Sequence, residues 1–440
     1  MGNYDVIMKR TENFRKDRFG LFIHYGLYSI RGRNEWCKTL DKLSEEQYQV
    51  YFDNFTAEHY DPVKWAKLAK KAGMKYAVLT TKHHEGFCLF DSKYTDYKAT
   101  NTKAGRDLVK EFVDAFRAEG IKIGLYYSLI DWHHFDYPHA GHQNHPRRND
   151  PGITDEGRDF SRYIEYMHNQ VRELCTNYGK IDIMWFDFSY NEMQGEMWQA
   201  TKLVNMVREL QPGIVIDNRL MVGRSAFENL DEAPVYCGDF VSPELYIPAK
   251  GVTDKLGRPV PWEACMTTQM GSWCYMDGNE NFMSPRQAIY TLVNCVSKNG
   301  NLLLNVGPTA KGDFPKQTVE LLEGIGEWMY QNSESIYNCY GCPDYPQPEW
   351  GRLTTDGKHV YAHFFDIAGY YAAVKGLPVE KVKYAVNLED GTEVTLGAAN
   401  GPSALKDHLD GNVLIAFKKA RLKNPLDTVV KIFLKDGETI

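Results

Sequence analysis

Eight short runs of apolar and β-branched residues alternate with longer stretches of helical periodicity through the first three quarters of the chain, and no other feature narrows the fold so far. The runs are "FGLFIHYG" (19–26), "YAVLTTKHH" (76–84), "IKIGLYYS" (121–128), "IDIMWFDFS" (181–189), "IVIDNR" (214–219), "VYCGDF" (235–240), "ACMTTQMG" (264–271) and "NLLLNVGP" (301–308). Strand and helix in alternation specify a parallel α/β domain. The helical segments carry their own punctuation. In "DPVKWAKLAKKAG" Asp61 can cap, Pro62 suits the first turn and Gly73 stops the helix. "GRDLVKEFVDAFRAEG", "SRYIEYMHNQVRELCTNYG" and "SPRQAIYTLVNCVSKNG" also end in glycine.

Eight such units predict a (β/α)8 TIM-like barrel over roughly residues 10 to 335. A doubly wound open sheet is the alternative, but no G-x-G-x-x-G follows the first run. From about Asn338 the texture changes to short alternating runs such as "HVYAHFFD", "VKYAVNLED" and "VVKIFLKDG". These predict a small antiparallel β-sandwich, hence a catalytic barrel domain over 1–337 and a second domain over 338–440.

The candidate strands end in chemistry. His24, His83 with His84, Tyr126, Asp187, Arg219 and Asp239 all fall at the carboxyl ends of their runs, where a barrel keeps its active site. Asp187 follows Met184, Trp185 and Phe186, which predicts a carboxylate held in a partly apolar wall. It can serve as a nucleophile opposite a second carboxyl group, or simply pair with Arg219. Candidates for the second group are Glu244, Glu263, Glu35 and Glu85, and spacing alone does not choose among them.

A different chemistry is conceivable between residues 131 and 145, where "DWHHFDYPHAGHQNH" holds five histidines beside Asp131 and Asp136. They lie in one loop, whereas barrel metal sites draw ligands from several strands, so no metal and no cofactor is expected. The rivals to a metal-free hydrolase are a metal-dependent barrel hydrolase and a non-catalytic sugar-binding protein. The 13% of aromatic residues suit sugar faces as well as core packing. A net charge of −7 without a basic run argues against nucleic acid. With no signal-like or membrane-spanning segment, and nine scattered cysteines including a lone CxxC at "CYGC", a cytoplasmic protein without a membrane partner is expected.

Six motifs, "RFGLFIHYGLYS", "EWC", "KYAVLTTKHHEGFCLFDS", "GLYYSLIDWHH", "MWFDFS" and "NLLLNVGPTAKG", occur in order and together resemble the α-L-fucosidases of glycoside hydrolase family 29. The resemblance implies a retaining exo-glycosidase that cleaves terminal α-L-fucosyl linkages of oligosaccharides or glycoconjugates through a covalent fucosyl-enzyme. It also implies Asp187 as nucleophile, and His24, Glu35, Trp36, His83, His84, Tyr126, Arg219 and Trp273 as residues that bind the sugar. "GDFVSPE" resembles the family's bacterial G-D-x-x-T-P-E pattern, which makes Glu244 the acid/base and Glu263 the second choice. Tyr25, Glu85, Cys37 and Cys274 depart from the residues usual in these motifs.

Overall fold

The computed structural model describes residues 3–140, 145–222, 229–397 and 412–440. Seven parallel strands, β1 (Phe19–Ile23), β2 (Tyr76–Lys82), β3 (Lys122–Ser128), β4 (Ile183–Asp187), β5 (Val215–Ile216), β6 (Glu263–Thr267) and β7 (Asn301–Val306), run in the order β5-β4-β3-β2-β1-β7-β6. Every residue of β1, β2, β4 and β7 is buried, as strands with helices outside and a filled barrel inside require. Phe14, Phe22, Tyr76, Tyr126, Trp185, Phe240 and Leu303 belong to the interior cluster. Gly20 leaves room for it, because a Cβ there would lie 2.2 Å from the Tyr76 ring.

The helices begin as their sequences dictate. Asp61 accepts a hydrogen bond from the Lys64 amide ahead of helix Pro62–Lys71, and Ser284 and Gln287 form a reciprocal cap ahead of helix Pro285–Val296. Helix Leu108–Ala118 buries Leu108, Val109, Phe112, Val113 and Phe116. Each such side chain contributes about 2 kcal/mol.

The sixth barrel position departs from the strand expected over 235–240. Val235–Cys237 is a 3-10 turn, and the segment joins its neighbours only through isolated bridges, Asp217 with Phe240, Val241 with Trp262 and Glu244 with Cys265. Gly238 turns the chain here at φ +85°, and only glycine fits so close to Asp217, because a Cβ would stand 2.1 Å from the Asp217 carbonyl oxygen. The Asp239 carboxylate then substitutes for a ladder acceptor by taking the Ile216 amide at 2.9 Å. It is also held by Arg10 and Arg208, so Asp239 braces the wall and does not face the mouth.

Beyond the barrel, β8 (Tyr340–Gly341), β9 (Gly351–Thr355), β10 (His359–Phe364), β11 (Tyr371–Pro378), β12 (Val382–Asn387), β13 (Glu393–Leu396), β14 (Asn412–Ala416) and β15 (Thr428–Leu434) are antiparallel. Their order is β11-β14-β13-β12-β15-β10-β9-β8. Val360 and Phe364 of β10 share a core with Val374 of β11 and Ile415 of β14, strands far apart in that order. The sheet therefore folds over on itself. Its seam to the barrel is buried and mixed: Tyr361, Phe365 and Val429 join the barrel's core cluster, His363 Nδ1 lies 2.7 Å from Asp427, and the Trp328 indole donates to the Asp427 carbonyl.

Candidate active site

Asp187 ends β4 at the carboxyl mouth of the barrel, 8% exposed. The Tyr126 hydroxyl, from β3, donates to its Oδ2 at 2.7 Å, and Arg219 Nη1 donates to its Oδ1 at 3.1 Å. The same guanidinium nitrogen lies 2.9 Å from Glu244 Oε2. Two carboxylate oxygens sharing one nitrogen stand no more than about 6 Å apart, which admits the separation of about 5–5.5 Å that retaining glycosidases use. Arg219 is itself fixed, with Nε on Ser242 Oγ at 3.0 Å and its charge 4.6 Å above the Trp185 ring. Burial opposes its charge, but Asp187 and then Glu244 raise its pKa further.

The histidines are buried and neutral. Desolvation holds His24 and His84 down to about 3 and pushes His83 well below its ordinary value. Asn305 uses its Nδ2 on the Trp273 carbonyl, so its Oδ1 takes the His24 Nδ1 proton at 2.6 Å. Ser128 donates to the Ile130 carbonyl and accepts from His84 Nδ1 at 2.8 Å. Both rings are thereby left with a bare Nε2, an acceptor for a hydroxyl. His83 lies face to face with Tyr126, at 5.5 Å and 11°.

The lysine beside these histidines is structural. Lys82 and Asp131 form a buried pair at 3.0 Å, and although burial alone would raise the carboxyl, Lys82 holds Asp131 down to about 2. Asp131 also caps the amides of His133 and His134, which ties the loop after β3 to the end of β2.

His24, Trp36, His83, His84, Tyr126, Asp187, Arg219, Glu244 and Trp273 line one cavity. Glu35 lies just behind it. Its Oε2 accepts from the Trp273 and Cys274 amides at 3.2 and 3.3 Å and so holds the loop that presents Trp273. Glu263 is elsewhere, fully buried at the start of β6 with Tyr76 donating to it. Among the described histidines after β3, His139 and His145 stack at 3.8 Å, but no three potential ligands there come within ligating distance of one another. His134, His139 and His145 use Nδ1 as an acceptor or toward Arg158, His133 stacks on Tyr97, and His142 lies outside the described residues.

A family model described as alpha-L-fucosidase matches residues 4–334. The chain belongs to that family. It is 49% identical to alpha-L-fucosidase isoenzyme 1 from Paenibacillus thiaminolyticus, covering 98% of this chain and 100% of that one at a TM-score of 0.93. A glycoside hydrolase family 29 alpha-L-fucosidase of Bacteroides thetaiotaomicron, trapped as a covalent intermediate, superposes at a TM-score of 0.82 with 29% identity, over 97% of this chain and 96% of that one. The alpha-L-fucosidase of Dictyostelium discoideum is 27% identical over 412 residues, which is 86% of this chain and 84% of the relative.

Within this fucosidase site, three cavity-lining residues escape the strand-end reading. Phe22 and Cys265 point inward from β1 and β6, among runs that read only as apolar. Phe188 follows Asp187 at φ +80° and rests its ring 5.3 Å from Trp36 and 5.1 Å from His84. Continued alternation after Asp187 conceals that turn. Of the departures from family motifs, Tyr25 packs outward on Phe55 and Tyr60, while Cys37 and Cys274 are buried behind the lining.

Proposed function

We propose that this chain removes terminal α-L-fucosyl groups from oligosaccharides or glycoconjugates, with Asp187 as nucleophile and Glu244 as acid/base. The fucosidase family and the relative trapped as a covalent intermediate support the retaining reaction. The observation that supports the residue roles is the single Arg219 nitrogen bound by both carboxylates. An Asp187 oxygen attacks the anomeric carbon while the bond to the aglycone breaks, and the Glu244 proton passes to the departing oxygen. Glu244 then takes a proton from water, which attacks the same carbon and frees Asp187.

His24 and His84 offer bare Nε2 atoms to sugar hydroxyls, and the Trp273 face suits the C6 methyl of fucose. In this reading residues 1–337 form the catalytic domain and 338–440 a supporting one. The experiment compares Glu244→Ala with the parent on aryl fucosides of differing leaving group. The variant should lose at least a hundredfold on poor leaving groups and little on activated ones, with azide restoring turnover. An unaltered Glu244→Ala enzyme would overturn the acid/base role, and a parent inactive on every α-L-fucoside would overturn the substrate.

A further inference from the structure

Behind the cavity wall, on the side of His83 away from the sugar site, lies a carboxyl group that the mechanism does not use. Glu85 is 1% exposed, and among the described residues neither of its oxygens has a hydrogen-bond partner of normal geometry. His83 Nδ1 is likewise buried without a partner, and it lies 3.7 Å from Glu85 Oε2. That is too long for a hydrogen bond, but a side-chain shift of about 1 Å closes it. His24 and His84 each have a fixed partner on Nδ1, Asn305 and Ser128, and His83 has only Glu85.

We propose that Glu85 is a positioning residue for His83, holding a proton against Nδ1 so that His83 presents an N–H donor to the sugar where His24 and His84 present acceptors. The proposal rests on the fucosidase reading for what the sugar is. It does not rest on it for the proton. With Glu85 neutral, its O–H points at Nδ1 and the ring proton resides on Nε2. When Glu85 ionises, one proton leaves to solvent and the ring proton moves from Nε2 to Nδ1, where the carboxylate accepts it. The imidazole stays neutral throughout, but its face toward the sugar changes from donor to acceptor.

Burial raises Glu85 to about 8, which puts the change just above neutral pH. The surrounding groups stay silent there. Tyr28, Tyr48, Tyr97 and Cys274 are pushed well above their ordinary values by burial, and Cys37 up to about 12. Lys38 is paired with Glu45, and Asp131 with Lys82. On the other face of His83, Tyr126 is raised by burial, and His24 and His84 are held neutral.

The test has two readouts on the full chain. In 15N-histidine spectra, with the His83 signal assigned by its loss in His83→Gln, the Nε2–H tautomer should dominate at pH 6.5 and the Nδ1–H tautomer above pH 9. In parallel, the affinity for L-fucose, measured calorimetrically, should fall about tenfold from pH 7 to 9.5 in the parent and stay level in Glu85→Gln, whose amide N–H remains a donor at every pH. A His83 tautomer that does not change between pH 6.5 and 9.5 overturns the proposal, as does an alkaline loss of affinity that is the same in Glu85→Gln. The tautomer measurement needs only the parent fold, so it decides the question even if Glu85→Gln does not fold. A parent that binds no fucose would overturn the fucosidase reading and leave the tautomer result to decide the role of Glu85.

Discussion

The two ends of the barrel contain the same pair of groups and treat it in opposite ways. At the mouth, Tyr126 donates to Asp187, and at the floor Tyr76 donates to Glu263. Trp185, stacked on Tyr126, belongs to the barrel interior beneath the mouth. The difference is the guanidinium of Arg219, which pairs with Asp187 and has no counterpart among the described residues around Glu263. Without a cation, burial pushes Glu263 up to about 8, so it is a neutral acid at pH 7. A buried carboxyl is therefore not by itself a reactive one. The cation, and an open cavity beside it, make the distinction.

The largest effect should follow from removing the mouth carboxylate. Asp187→Ala should lower kcat on aryl fucosides by at least a thousandfold while its melting temperature stays within a few degrees of the parent. A variant that keeps a tenth of the parent rate would mean that the mouth is no more reactive than the floor. At the floor, Glu263→Gln should leave kcat/KM within threefold. Glu263→Ala should lose about 2–4 kcal/mol of stability in denaturant titration, because it opens a cavity beside Tyr76. A thousandfold rate loss in Glu263→Gln would exchange the roles of the two ends.

The effect that is smallest per pH unit is the sharpest in sign. The folded pKa of Glu263 is raised, so its contribution to stability is complete below about 4.5 and declines as pH rises toward 8. Glu263→Gln should thus gain on the parent across that window, by up to about 1.4 kcal/mol per pH unit. His24 and His84 at the mouth have depressed pKa values. Their contribution is complete above about 6.5 and declines as pH falls toward about 3, at a similar slope for each. Chemical denaturation between pH 4 and 8 should show mouth and floor pulling in opposite directions, and a flat profile in Glu263→Gln minus parent would contradict the assignment.

Much of this was legible in the residues. Asp61, Pro62 and Gly73 bound a helix because cap, ring and left-handed turn are local requirements that a sequence states directly. The ring of strand-end groups was legible because a parallel strand has one chemical end. The sixth strand was not legible, since "VYCGDF" has strand composition while the chain turns at Gly238, packed close against Asp217 on another segment. Asp239 misled for the same reason, its partners Arg10 and Arg208 being distant in sequence. Position within the barrel also separates Glu244 from Glu263. The first itself forms the bridge to Cys265, and the second opens the strand beneath that residue.

Phe188 carries a consequence for anyone who engineers this protein for heat resistance. A bulky residue held at φ +80° stores on the order of 1–3 kcal/mol, which glycine would release. Glycine would also remove the ring that rests on Trp36 and His84, and with it part of the wall of the sugar site. Selection for survival at high temperature and selection for turnover therefore pull position 188 toward different residues, and a library scored on melting temperature alone will favour the change that opens the site.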